Sequence, residues 1–179
     1  MGVVISGGGS SSGSTTIDGL HHVDGDEITV SLGNLTYLVN DQVGSDYYAI
    51  ADFVSKAAGR SELSFLTWLG SIVTSGKLDL DIVFWDSAPT TTSSDGDTFD
   101  LSAANLAKYQ GHVEIREHHW ISAIGTTDLV GQVGPNELGH EIKCVATSAY
   151  FSVIWRGNSL AVGSSETLKF KFGTRYLDA

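Results

Sequence analysis

Cysteine is all but missing from this chain, and proline nearly so: one Cys and two Pro in 179 residues. A single cysteine, Cys144, excludes an intrachain disulfide framework and any zinc site built from several thiolates of one chain. In its setting, Ile142-Lys143-Cys144-Val145-Ala146, it reads as a small core residue. Basic residues are scarce as well, with ten Lys and Arg against 21 Asp and Glu and a net charge of −11. That balance leaves no basic face for a phosphate backbone, so nucleic acid is not an expected partner. No run approaches the ~18 apolar residues of a membrane helix. No basic segment followed by an apolar stretch marks a signal peptide either, so neither membrane insertion nor export is expected.

Motifs for chemistry are lacking too. No serine stands in a G-x-S-x-G context, and His140 and Cys144 lie roughly 13 Å apart along an extended strand at about 3.3 Å per residue. Histidine occurs six times, as His21-His22, His112, His118-His119 and His140, but without H-x-H or H-E-x-x-H spacing. Adjacent residues on a strand point to opposite faces, so His118 and His119 are not expected to share an ion. Asp95, Asp97 and Asp100 supply oxygen atoms without the ordered ligand positions of an EF-hand loop, and read as a solvated acidic loop. Asp79 and Asp81 share one face of a strand, roughly 6.5 Å apart by the same rise, and read as its solvated side. No catalytic residue, cofactor site or metal ligand is assigned, and the chain is not expected to be an enzyme.

What is present is glycine, 21 residues of it, abundant Ser and Thr, and 41% hydrophobic residues. This suits one all-β domain with many turns and enough apolar surface for a core. Residues 78–87, LDLDIVFWDS, are the pattern the rest is read around. Leu78, Leu80, Ile82 and Phe84 share one face, and both faces turn apolar from Val83 to Trp85, as in a strand that runs under cover. Before it, residues 27–32 and 47–54 read as strands and residues 40–46 as a loop. The apolar residues 61–74 read as a strand that forms a hairpin with residues 78–86. After it come a long polar loop over residues 87–99 and a short helix over 103–109, capped by Asp100 or Ser102. Residues 112–121 return to alternation, residues 125–139 carry glycines and Pro135 and read as a loop, and residues 141–155 read as a strand pair or one long bent strand. In residues 167–172, Leu168, Phe170 and Phe172 point inward and Lys169 and Lys171 outward, a device against edge-to-edge pairing on a terminal strand. The tract GGGSSSGSTT, residues 7–16, has nothing to bury and reads as a flexible arm. The expected organisation is an N-terminal arm, residues 1–25, and one domain, residues 26–179, folded as a β-sandwich or jelly roll of about eight strands with one short helix.

In segment order the chain resembles small virion proteins of tailed bacteriophages. Asn40-Asp41-Gln42-Val43-Gly44 stands for a G-D-x-V-G loop, with Asn in the first Gly position. Residues 78–89 stand for an L-x-L-x-x-F-x-x-x-P element, with its leucines at 78 and 80, and with Phe84 one position and Pro89 two positions later than the pattern has them. An Asp-rich loop follows, then an L-S-x-A-x-L-x-K helix at residues 101–108, a strand from Tyr150 to Arg156-Gly157 that stands for Y-x-x-x-x-x-G with its Gly one position later, and the alternating last strand. The pattern covers residues 35–175; the His118-His119-Trp120 cluster lies outside it. The resemblance implies a capsid decoration or cement protein without an active site, binding the major capsid protein on the virion surface. Such a protein is made in the host cytoplasm and is typically a trimer. Gly7, Ser10, Ser12, Thr15, Asp95, Asp97, His118, Trp120 and Pro135, from the arm, the long loops and the His-Trp cluster, are the candidate contacts. A head-fibre or tail-associated β domain is the alternative within virion proteins. A carbohydrate-binding sandwich presenting exposed aromatics is the alternative from another class.

Overall fold

The computed structural model describes residues 15–17, 20–71, 77–90, 93–122, 129–133, 138, 140–163 and 166–178. Within them the chain is almost entirely β. The first half holds β1 (Thr15–Ile17), β2 (Leu20–Asp24), β3 (Ile28–Ser31), β4 (Thr36–Tyr37), β5 (Gln42–Ile50), β6 (Arg60–Ser71) and β7 (Leu80–Trp85). A one-turn helix α1 (Ala103–Leu106) precedes β8 (Tyr109–Ile115), β9 (Trp120–Ser122), β10 (Leu129–Val133), β11 (Glu141–Lys143), β12 (Ala149–Trp155), β13 (Leu160–Ala161) and β14 (Thr167–Tyr176).

Two antiparallel sheets face each other. Sheet one runs β1-β2-β14-β6-β10-β9, with β3 also on β14 and β11 also on β6; sheet two runs β5-β12-β7-β8. The principal strands pair first with last (β3 with β14), then β5 with β12, β6 with β10 and β11, and β7 with β8. Successive pairs alternate between the sheets, as in one long hairpin rolled over on itself, which is the jelly-roll strand order. The β-sandwich expectation therefore holds. The inner faces meet over an aromatic cluster: Phe84 of sheet two lies edge-on to Phe172 of sheet one at 5.9 Å, and Phe151 sits 4.9 Å from Phe172. All three are buried.

Several local expectations are corrected. The run 61–86 is not a hairpin, because β6 pairs with β14 and β10 in sheet one while β7 pairs with β12 and β8 in sheet two. Residues 42–46, most of the expected loop 40–46, are the start of β5, and residues 51–54 are a turn whose Phe53 and Val54 are nevertheless buried. The expected loop 125–139 contains β10, and its Gly131 is required by contact: a Cβ there would sit 2.3 Å from the Trp68 ring. The expected strand 112–121 is two strands in different sheets, separated by a 3-10 turn at Glu117–His119. Residues 141–155 are likewise two strands in two sheets. The helix is shorter than expected, with the Ser102 side chain accepting from the Asn105 backbone N–H. The inward set of the last strand is buried as expected, but β14 lies inside sheet one between β2/β3 and β6, so its lysines guard no edge.

Sheet two has a second layer on its outer side. Val83, Trp85 and Ile154 point away from the main core and are still buried, covered by Phe99, Tyr109 and Tyr150. Phe99 is delivered by the long polar loop, which pairs with the start of β5 through an Asp41–Thr98 bridge. The loop is further tied down by Asn105, whose side chain both accepts from the Thr90 N–H and donates to the Thr90 carbonyl.

Candidate interaction surfaces

Of the nine candidate contacts, Gly7, Ser10, Ser12 and Pro135 lie outside the described residues. Thr15 is in β1, opposite His22 of β2, and β2 in turn pairs with the end of β14. The described parts of the expected arm are thus strands of sheet one.

Trp120 leaves the list of surface contacts. It is buried, its indole N–H donates to the Leu78 carbonyl at 2.7 Å, and its ring meets Trp68 edge-on at 5.7 Å. The turn at Glu117–His119 carries the chain from sheet two to sheet one and so points Trp120 into the core. That turn also overturns the expectation that His118 and His119 face apart, since their ring centroids are 4.0 Å apart. His119 Nδ1 accepts from the Arg116 N–H, and His118 remains exposed beside it. Nearby, His112, His140 and Glu114 line a cleft of about 330 Å³ between the sheet edges. Among the described residues no three His, Cys, Asp or Glu side chains are grouped to hold a metal ion.

Asp79 and Asp81 do not form a solvated pair. Asp81 is buried between Arg116 and Arg156, with Arg116 Nη1 at 3.0 Å from one carboxylate oxygen and Arg156 Nε at 3.1 Å from the other. Glu114 stands directly opposite Asp81 across the β7–β8 ladder, and Arg116 separates the like charges by also reaching Glu114 at 2.9 Å. Asp79 accepts from the Glu117 backbone N–H, holding the start of the 3-10 turn.

Asp97 is exposed, while Asp95 is an organiser of the surface. Its Oδ1 accepts from the Tyr37 hydroxyl at 2.6 Å and from the Gly44 N–H at 2.7 Å. Burial pushes the Tyr37 hydroxyl far up from its ordinary pKa, and the bond to Asp95 adds to that shift. Gly44 has a left-handed φ of +74°, and a Cβ there would sit 2.3 Å from the Tyr48 hydroxyl, so only glycine fits. Around Asp95 and Gly44 the surface forms an open groove of about 780 Å³, between β3 and the loop at residues 94–95.

Two surfaces carry apolar side chains that sequence reading did not select. On the outer face of sheet one, Leu69 of β6 is opposite Val130 of β10, which is opposite Ile121 of β9. Ile121 is 66% exposed, and Lys169 continues the row on the other side of Leu69. At the Asp41–Thr98 bridge, Leu38 and Val39 precede Asp41 and Leu101 and Leu106 follow Thr98, all four exposed. Ile121 was hidden because it stands in a segment whose alternation breaks at the turn.

No family model and no curated protein matches the chain. Among solved structures, one titled Desmodium yellow mottle tymovirus is similar over 94% of each chain, at 9% identity and a TM-score of 0.30. A superposition of that quality decides nothing about role.

Proposed function

We propose that the chain is a non-enzymatic virion structural protein, a capsid decoration or cement protein that works as a homo-oligomer on the major capsid protein. The observation that carries this reading is the Ile121–Val130–Leu69 row, an apolar strip crossing three neighbouring strands on the outside of the larger sheet. Ile121 is exposed and Val130 and Leu69 are half-buried beside it; a contiguous apolar row on the outer face of a sheet marks association with another macromolecule, since solvated sheet faces are ordinarily polar. The jelly-roll order supports the reading without deciding it, because the same architecture serves capsid and lectin domains alike. The segment-order resemblance to phage virion proteins points the same way. A cement protein stabilises a shell by binding the assembled form in preference to free subunits, which calls for broad surfaces of this kind.

Light scattering on the purified chain tests the association. The expected mass is three times the 19.0 kDa chain, and Ile121→Asp, placing a charge in the strip, lowers the mass to that of one chain with unchanged circular dichroism. A monomer that is equally monomeric in both forms contradicts the proposal.

A further inference from the structure

The groove at Asp95 has a lining with one consistent chemistry. Hydroxyls come from Thr29 and Ser31 on β3 and from Ser94, carboxylates from Asp46 and Asp95, and an aromatic ring from Tyr47; among the described residues no Lys, Arg or His lines it. Both hydrogen bonds to Asp95 fall on Oδ1, which fixes the carboxylate in place at the groove wall, with Oδ2 lying against Gly33. Tyr47 is 37% exposed and is held edge-on against Tyr150 at 5.6 Å. The groove therefore presents a steadied ring and a fixed carboxylate before any ligand arrives, which lowers the ordering cost of binding.

We propose that this groove binds a neutral saccharide. Carboxylates are acceptors only and hydroxyls both donate and accept, so the matching ligand is rich in hydroxyl donors. An apolar C–H face on that ligand suits the Tyr47 ring. Anionic ligands are disfavoured: two carboxylates and, among the described residues, no cation line the site, and the chain as a whole carries −11. A bound calcium ion needs six to eight oxygens, more than two carboxylates provide on their own. The inference does not rest on the virion reading, since the groove lies at β3, β5 and residues 94–95 and the apolar strip lies at β6, β9 and β10.

The test is saturation-transfer NMR on the full chain against neutral oligosaccharides, their sialylated and sulfated counterparts, and calcium chloride alone by calorimetry. The expected result is transfer to at least one neutral sugar, with affinity about tenfold weaker in Tyr47→Ala and an unchanged melting temperature. Ser94→Arg, which fills the mouth without touching the Asp95 hydrogen bonds, gives the same loss and covers the case in which Tyr47→Ala perturbs β5. No transfer at millimolar sugar overturns the proposal. So do binding indifferent to both substitutions, a preference for the acidic glycans, and a calcium isotherm with no sugar response.

Discussion

Two arginines hold Asp81 on the outer face of sheet two, and its removal leaves both guanidinium groups without their shared partner. Breaking one side of a buried ion pair costs several kcal/mol, and here the arginines are partly exposed, which reduces the loss. Asp81→Ala is expected to lower stability by about 2–3 kcal/mol in urea unfolding. Asp79→Ala, which loses one hydrogen bond to the Glu117 N–H, costs about 1 kcal/mol. Equal effects contradict this assignment. The alternation of residues 78–84 shows that the two aspartates share a face, but not that arginines from β8's end and from beyond β12 close over one of them. Those contacts join residues 35 and 75 positions away, and no local pattern carries them.

Cys144 is buried, as its apolar setting indicates, and burial pushes its thiol pKa up to about 12, with the nearby Asp86 charge adding to the shift. The folded thiol therefore binds its proton more tightly than the unfolded one. Its contribution to stability is complete below about pH 9, where both states are protonated, and is lost as pH rises from about 9 to about 12. The native protein should resist alkylation by iodoacetamide at pH 8 and react once unfolded. Across pH 9 to 11 its melting temperature should fall more steeply than that of Cys144→Ala. Parallel curves rule the thiol out as a cause.

At the scale of elements, the long polar loop between β7 and β8 acts as the cover of sheet two. Phe99 lies 6.2 Å from Trp85 and shields Val83, Trp85 and Ile154. Phe99→Ala is expected to cost about 2–3 kcal/mol and to speed amide exchange in β7 while sparing β14, as measured by hydrogen exchange. Uniform acceleration contradicts a local cover. The double-sided apolar pattern of Val83 to Trp85 announces that something lies over the strand; a loop of Ser, Thr and Asp gives little sign that it is the covering element. β14 was legible because Leu168, Phe170 and Phe172 alternate with lysines over a full strand. β10 was not, because Leu129–Val133 is short, carries Gly131 where Trp68 needs room, and stands among other glycines. Sheet membership is not local either, so β6 and β7 looked like a hairpin although the chain crosses between sheets.

For the whole molecule, composition and alternation sufficed for an all-β sandwich, since abundant turn residues, apolar periods of two and the lack of helix-strand alternation agree. The candidate surfaces were far less legible. Asp95 reads in the sequence as a loop acid and is the hydrogen-bonded post of a groove; Trp120 reads as a surface contact and is core. Ile121, beside it, carries the apolar strip. The outcomes at Trp120 and Ile121 follow from one turn, Glu117–His119, whose effect is to exchange sheets rather than to end a strand.

The most direct test of the structural role is co-sedimentation of the full chain with assembled phage heads stripped of decoration, alongside unassembled capsid subunits. The proposal predicts saturable pelleting with the assembled heads, little binding to free subunits, and loss of pelleting in Ile121→Asp. A chain that stays in the supernatant at saturating head concentration, or that binds free subunits equally well, contradicts it.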